Sequence, residues 1–110
     1  MKVAVIGSRS LMLSNLEMYL PEEAEEIVSG GAKGIDTCAR IYAQKEGIKL
    51  TEILPDYRRY GRGAPLHRNL QIIEYADVVL VFWDGHSRGT SFVIEQCEKI
   101  GKPIKIFKMT

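Results

Sequence analysis

The chain has 110 residues, 45% of them hydrophobic and 26% charged, with only 4 prolines. This is the length and balance of one soluble globular domain, able to bury roughly two-thirds of its unfolded surface. Fifteen basic residues against fourteen acidic ones leave a net charge of +1, which excludes a polybasic protein drawn to nucleic acid or anionic lipid by its overall field.

In chain order, Val3–Ile6 is a short apolar run ended by Gly7-Ser8, the signature of a strand buried on both faces. Ser14-Asn15-Leu16-Glu17 matches a capping box, predicting a short helix that stops at Pro21. Glu25–Ser29 reads as the second strand. Ile35, Ala39, Tyr42 and Ala43 recur at helical spacing, and Gly47 closes that helix. Ile48–Leu54 alternates as a third strand, and Asp56–Gly63 reads as a loop rich in Arg, Tyr and Gly. Pro65 suits the first turn of a helix with Leu66, Leu70 and Ile73 on one face. Asp77–Trp83 is the strongest strand, and Asp84–Gly89 a loop. Val93, Ile94, Cys97 and Ile100 mark the last helix, closed by Gly101 before an edge strand at Pro103–Lys108.

Strands and helices therefore alternate throughout residues 1–110 without a linker or repeat. The pattern predicts a single-domain α/β protein: a doubly wound, mainly parallel sheet of five strands in the order 3-2-1-4-5, with helices on both faces. Cys38 and Cys97 fall at periodic helical positions, where a free thiol is a small apolar filler. Their spacing suits neither a disulfide framework nor a zinc site. His67 and His86 add no metal-ligand spacing either, so no metal is expected. The first residues read as a strand rather than a signal peptide. The longest apolar run, Val78–Trp83, is far short of the ~20 residues that span a bilayer. A cytoplasmic protein without membrane contact is the expectation.

In such a sheet, ligands bind beyond the carboxyl ends of the strands where the strand order reverses, here between the first and fourth. The loops meeting there are Gly7-Ser8-Arg9, Ser29-Gly30-Gly31-Ala32-Lys33-Gly34 and Trp83-Asp84-Gly85-His86-Ser87-Arg88-Gly89-Thr90. Small Gly-rich turns running into helix starts aim backbone N–H groups and positive dipole ends at one crevice, so a phosphate is the natural occupant. Neither the dinucleotide fingerprint nor a Walker loop is present. Arg9 and Arg68 can offer a phosphate the bidentate guanidinium fork, with Asn69 beside them for a sugar or base. Asp36, in a first helical turn, suits dipole stabilisation or a ribose contact. Thr90 suits a helix cap or the phosphate, and Trp83 a core position or a stacking wall. Hydrolysis of a glycosidic bond needs a carboxylate as acid or base, and Asp36, Asp84 and Glu95 are the candidates. No G-x-S-x-G elbow is present. Tyr57–Arg68 carries four arginines and no acid. It reads as a solvated loop flanking the ligand site or as a single-strand contact surface, the neutral total favouring the former.

Taken together, Val5-Ile6-Gly7-Ser8-Arg9, Ser29–Asp36, Arg68-Asn69 and Gly89-Thr90 resemble the SLOG superfamily. It groups the Smf/DprA DNA-processing proteins with the LOG (Lonely Guy) phosphoribohydrolases. Tyr60-Gly61-Arg62-Gly63-Ala64-Pro65 leading into Arg68-Asn69 is most similar to the small, single-domain YspA-like branch. The resemblance implies a Rossmann-like fold, a nucleotide or nucleotide-derived ligand in place of a classical cofactor, and a homodimer. Gly89-Thr90 matches the end of the LOG motif Pro-Gly-Gly-x-Gly-Thr-x-x-Glu, but Val93 stands at its Glu position. Glu95, two residues on, lies about 200° further around a helix. The expected function is a small nucleotide-binding module, with a nucleotide N-glycosidase and a DprA-like single-strand DNA binder as the alternatives.

Overall fold

A computed structural model describes residues 1–109. Five strands, β1 (Lys2–Gly7), β2 (Glu26–Ser29), β3 (Lys49–Glu52), β4 (Val78–Trp83) and β5 (Ile104–Lys108), form one sheet in the order β3-β2-β1-β4-β5. All four pairings are parallel, for instance Val5 with Leu80 and Val28 with Thr51. The α/β class, the five-strand parallel sheet and its order are those expected from the sequence.

Helices α1 (Ile35–Glu46), α2 (Tyr57–Tyr60), α3 (Ala64–Tyr75) and α4 (Arg88–Ile100) connect the strands. Period-two alternation on the buried strands builds two cores. Val3, Val5, Ile27, Leu80 and Phe82 pack with Leu16 and with Ile35, Ala39 and Ala43 of α1. Ala4, Ile6, Val28, Val79 and Val81 pack with Ile72 and Ile73 of α3 and Val93 and Cys97 of α4. Each fully buried Val, Leu, Ile or Phe contributes about 1.5–3 kcal/mol, so this double layer fixes where the strand ends fall. Both cysteines are free and buried.

Three expectations are corrected. The helix predicted from Ser14 to Pro21 is only a 3-10 turn, Leu16–Met18, and Asn15 at its start makes no side-chain capping bond. Only Leu16 of that turn is buried, so packing cannot offset the cost of nucleating a helix there. The loop predicted at Asp56–Gly63 contains α2 and a second 3-10 turn, Gly61–Gly63, because the Asp56 carboxylate accepts from the Arg59 N–H at 3.2 Å and caps a turn. Finally, α3 does not bury Leu66 and Leu70. Ala64, Arg68, Asn69, Ile72 and Ile73 face inward instead, and both leucines are exposed. No helix among the described residues is long and apolar enough to cross a membrane.

Candidate functional site

The strand order reverses between β1 and β4, and a cavity of about 390 Å³ opens beyond their carboxyl ends. Twelve sequence-predicted residues line it: Gly7, Ser8 and Arg9 after β1; Gly30, Ala32 and Asp36 after β2; Arg68 and Asn69 on α3; Asp84, Ser87, Gly89 and Thr90 after β4. Ser10, Pro65, Leu66 and Ile72 complete most of the wall and are not among the site residues expected from the sequence. Ser10 is legible as the neighbour of Ser8-Arg9, whereas the sequence places Leu66 on one helix face with Leu70 and Ile73.

Two helices begin at this cavity. The first N–H groups of α1 and α4 have no intrahelical acceptor, so both ends present amide donors and positive dipole ends. Gly34, the residue before α1, has φ +72°, and a Cβ there would come within 2.6 Å of the Ser8 and Arg9 carbonyl oxygens. Its lack of a side chain lets the loop after β1 lie against the start of α1.

Arg68 is the buried cation of the site. Its Nη1 donates to the Gly30 carbonyl at 2.6 Å and its Nε to Asn69 Oδ1 at 2.8 Å. Those bonds leave Nη2 as the donor group that can face the cavity. Asp36 acts on this guanidinium electrostatically, while its own Oδ2 accepts from the Ala32 N–H at 3.1 Å. Burial pushes the Asp36 carboxyl above its ordinary range, against the opposing pull of the Ala32 N–H and Arg68. Nearby, the buried Ser29 hydroxyl makes no hydrogen bond of good geometry among the described residues, but it stands close enough to Asp36 to draw that carboxyl down as well. Arg9 lines the same cavity from the exposed side.

Asp84 has a different environment. It accepts from the His86 N–H at 2.8 Å, the Ser87 N–H at 2.9 Å and the Ser10 hydroxyl at 3.0 Å. The Ser87 hydroxyl lies 3.0 Å from both its oxygens and 2.9 Å from Ser8 Oγ, which in turn accepts from the Asp84 N–H at 3.0 Å. The His86 and Ser87 amides above all hold this carboxyl far below the usual carboxylate range. An ionised group so fully engaged organises the loop before α4; it is a poor proton donor or base.

Five sequence-predicted residues fall outside the cavity. Glu95 is exposed on α4, on a different face from the buried Val93 and Cys97, so it is not placed for catalysis. Trp83 donates its indole N–H to the Ser87 carbonyl at 3.3 Å and packs against the second core, so it is no stacking wall. Gly31, at φ +69°, faces away: a Cβ there would come within 2.6 Å of Leu54 Cδ2. Gly34 shapes the wall from behind, and a Cβ on Gly85 would meet Lys108. Among the described residues no group of three His, Cys, Asp or Glu is placed to hold a metal ion.

Against known proteins, the chain is 34% identical over 84 residues to the Gene 61 protein of Mycobacterium phage D29, covering 71% of this chain and 67% of the relative. It belongs to the Gene 61 protein family. A second likeness gives the fold: the X-ray structure of DNA processing protein A (DprA) from Streptococcus pneumoniae superimposes with a TM-score of 0.76 at 23% identity. That match covers 99% of this chain and 50% of the DprA chain, so this Gene 61 family member spans about half of DprA's length. Its fold is thus the DprA-type Rossmann-like one. No family model matches the chain.

Proposed function

We propose that this Gene 61 family member is a small cytoplasmic module that binds a nucleotide or nucleotide derivative through its phosphate, and that it lies in the YspA-like branch of the superfamily. The observation that carries the reading is Arg68, a buried cation in the cavity lining whose Nε and Nη1 are engaged, which leaves Nη2 for a ligand. A phosphate there would accept from that guanidinium, from the Gly89 and Thr90 amides and from exposed Arg9. Asp36 would then balance Arg68 when the site is empty and meet a sugar hydroxyl when it is filled.

A melting screen across nucleoside mono-, di- and cyclic phosphates tests this. A ligand at a hundred times its dissociation constant adds about 2.7 kcal/mol, on the order of 10 °C for a domain this size. The control is Gly89→Asp. A Cβ on Gly89 meets nothing within 4 Å, and an acid in a first helical turn is favourable, so the fold is retained while the new carboxylate repels the phosphate. The expected result is loss of the ligand-induced shift with an unchanged or raised ligand-free Tm. A shift that survives in Gly89→Asp overturns the reading.

A second reading, hydrolysis of the N-glycosidic bond, is favoured by one observation: Asp36 is a buried cavity carboxyl pushed towards its protonated form, as a general acid requires. Release of free base from a nucleoside monophosphate, abolished by Asp36→Asn, would establish it.

A further inference from the structure

The side chains that would hold a phosphate lie at the bottom of the cavity rather than at its rim. Arg68, Asn69 and Thr90 line it yet are only 7%, 9% and 5% exposed. Exposed Arg9, Leu66 and Gly89 mark the mouth. Four segments wall the space between: α3 and the loops after β1, β2 and β4. A group that reaches the buried donors meets protein from all four.

Two adjacent residues share one bond at that depth. Asn69 Oδ1 accepts from Arg68 Nε at 2.8 Å, and the Gly30 carbonyl accepts from Nη1 at 2.6 Å. With Oδ1 committed, the Asn69 amide has only its Nδ2 protons left to offer, beside Nη2 of the guanidinium. Gly30 makes the seat possible. A Cβ there would come within 2.5 Å of Nη1 and 2.8 Å of Cζ, so the guanidinium lies directly against this backbone. Pinned at both ends, the pair loses little freedom when an anion arrives.

We infer that Arg68 and Asn69 form one composite fork of N–H donors, and that it selects a terminal phosphate monoester over an internal phosphodiester. This rests on the proposed phosphate grip and deepens it by naming the group that is gripped. A terminal phosphate has three free oxygens and one substituent, so it can turn the oxygens to the buried donors and leave by the mouth. An internal phosphate has two free oxygens and must lead two substituents back past the same walls. A free nucleotide and the phosphorylated end of a strand both present the required group.

The test is calorimetric titration of the full chain with adenosine 5′-monophosphate, with its methyl ester and with a 5′-phosphorylated adenylyl dinucleotide. The methyl ester alters the phosphate alone. It is expected to bind about tenfold more weakly or worse, the worth of one lost charge-assisted hydrogen bond. A dinucleotide as tight as the mononucleotide extends the site to strand ends; one as weak as the methyl ester confines it to free nucleotides. Asn69→Asp keeps an acceptor for Arg68 but turns the Nδ2 donor into an anion. It should weaken mononucleotide binding about tenfold or more with the ligand-free Tm unchanged or raised, because the new carboxylate pairs with Arg68. Gly30→Ala displaces the guanidinium without altering any charge, and should weaken binding as well as narrow the preference over the methyl ester. Equal wild-type affinity for the mononucleotide and its methyl ester, or full affinity in both variants, overturns the inference and leaves the phosphate site standing. Failure of the wild type to bind any of the three ligands overturns both.

Discussion

Each end of the sheet holds a carboxylate that shows equally little surface to solvent, with opposite consequences. Glu26 at the amino end and Asp36 at the carboxyl end are each 7% exposed. Around Glu26 every approach is satisfied: Oε2 accepts from the Thr51 hydroxyl at 2.6 Å and the Tyr75 hydroxyl at 2.7 Å, and the Lys49 ammonium stands 3.5 Å from Oε1. Burial alone would raise that carboxyl, but these partners outweigh it and hold it below its ordinary value. Burial wins at Asp36: the Ala32 N–H, a guanidinium mostly engaged elsewhere and the nearby Ser29 hydroxyl pull its carboxyl down, but they do not offset desolvation, to which the Glu52 charge adds. The lesson is that low surface exposure alone does not mark a functional charge. Dense packing with incomplete pairing does, and it coincides here with a cavity.

Replacing Glu26 by Ala is the largest way to break that contrast. It leaves Tyr75 and Thr51 without their acceptor and should cost about 2–3 kcal/mol in urea unfolding. Any nucleotide-induced shift should survive, because nothing at the carboxyl end changes. Loss of ligand response with little loss of stability would contradict the assignment of structural and binding roles to the two ends.

The acid limb of the stability curve sharpens it further. The ordinary value for Glu26 is 4.5 and its folded value is lower, so its stabilisation is complete above 4.5 and fades as pH falls through the folded value. Asp77 and Asp84, also depressed, act in the same direction. Asp36 runs the other way: its folded value lies above 3.8, so its contribution is complete below 3.8 and fades as pH rises through the folded value. Denaturation measured from pH 7 to pH 3 should therefore show a shallower acid loss in Glu26→Gln and a steeper one in Asp36→Asn. Parallel limbs in all three proteins would contradict the opposed environments.

The same contrast explains what the sequence disclosed and what it hid. Strand order, the two cores and the convergence of three loops follow from hydrophobic period and glycine placement, and these are properties of apolar burial. The misplaced face of α3 shows the limit. Leu66, Leu70 and Ile73 form a plausible apolar stripe, but the helix is turned so that Arg68 and Asn69 go inward, and a pattern search counts those two as solvent-facing. Polar residues buried for a cavity are invisible to a rule that assigns polarity to the surface. Asp84 illustrates the complementary case: its chemistry depends on which amides point at it, a matter of loop geometry alone. Glu95 was excludable from sequence, since Val93 and Cys97 already set the inward face of α4.

The proposed phosphate grip rests on the amides opening α4 acting together with Arg68 and Arg9. Backbone 15N–1H chemical shifts recorded during titration with adenosine 5′-monophosphate test it most directly. The largest changes are expected at the Gly89 and Thr90 amides and at the Arg68 and Arg9 side chains, all saturating on one binding curve. Saturable shifts confined to Tyr57–Arg62, with the amides of Gly89 and Thr90 unmoved, would contradict it.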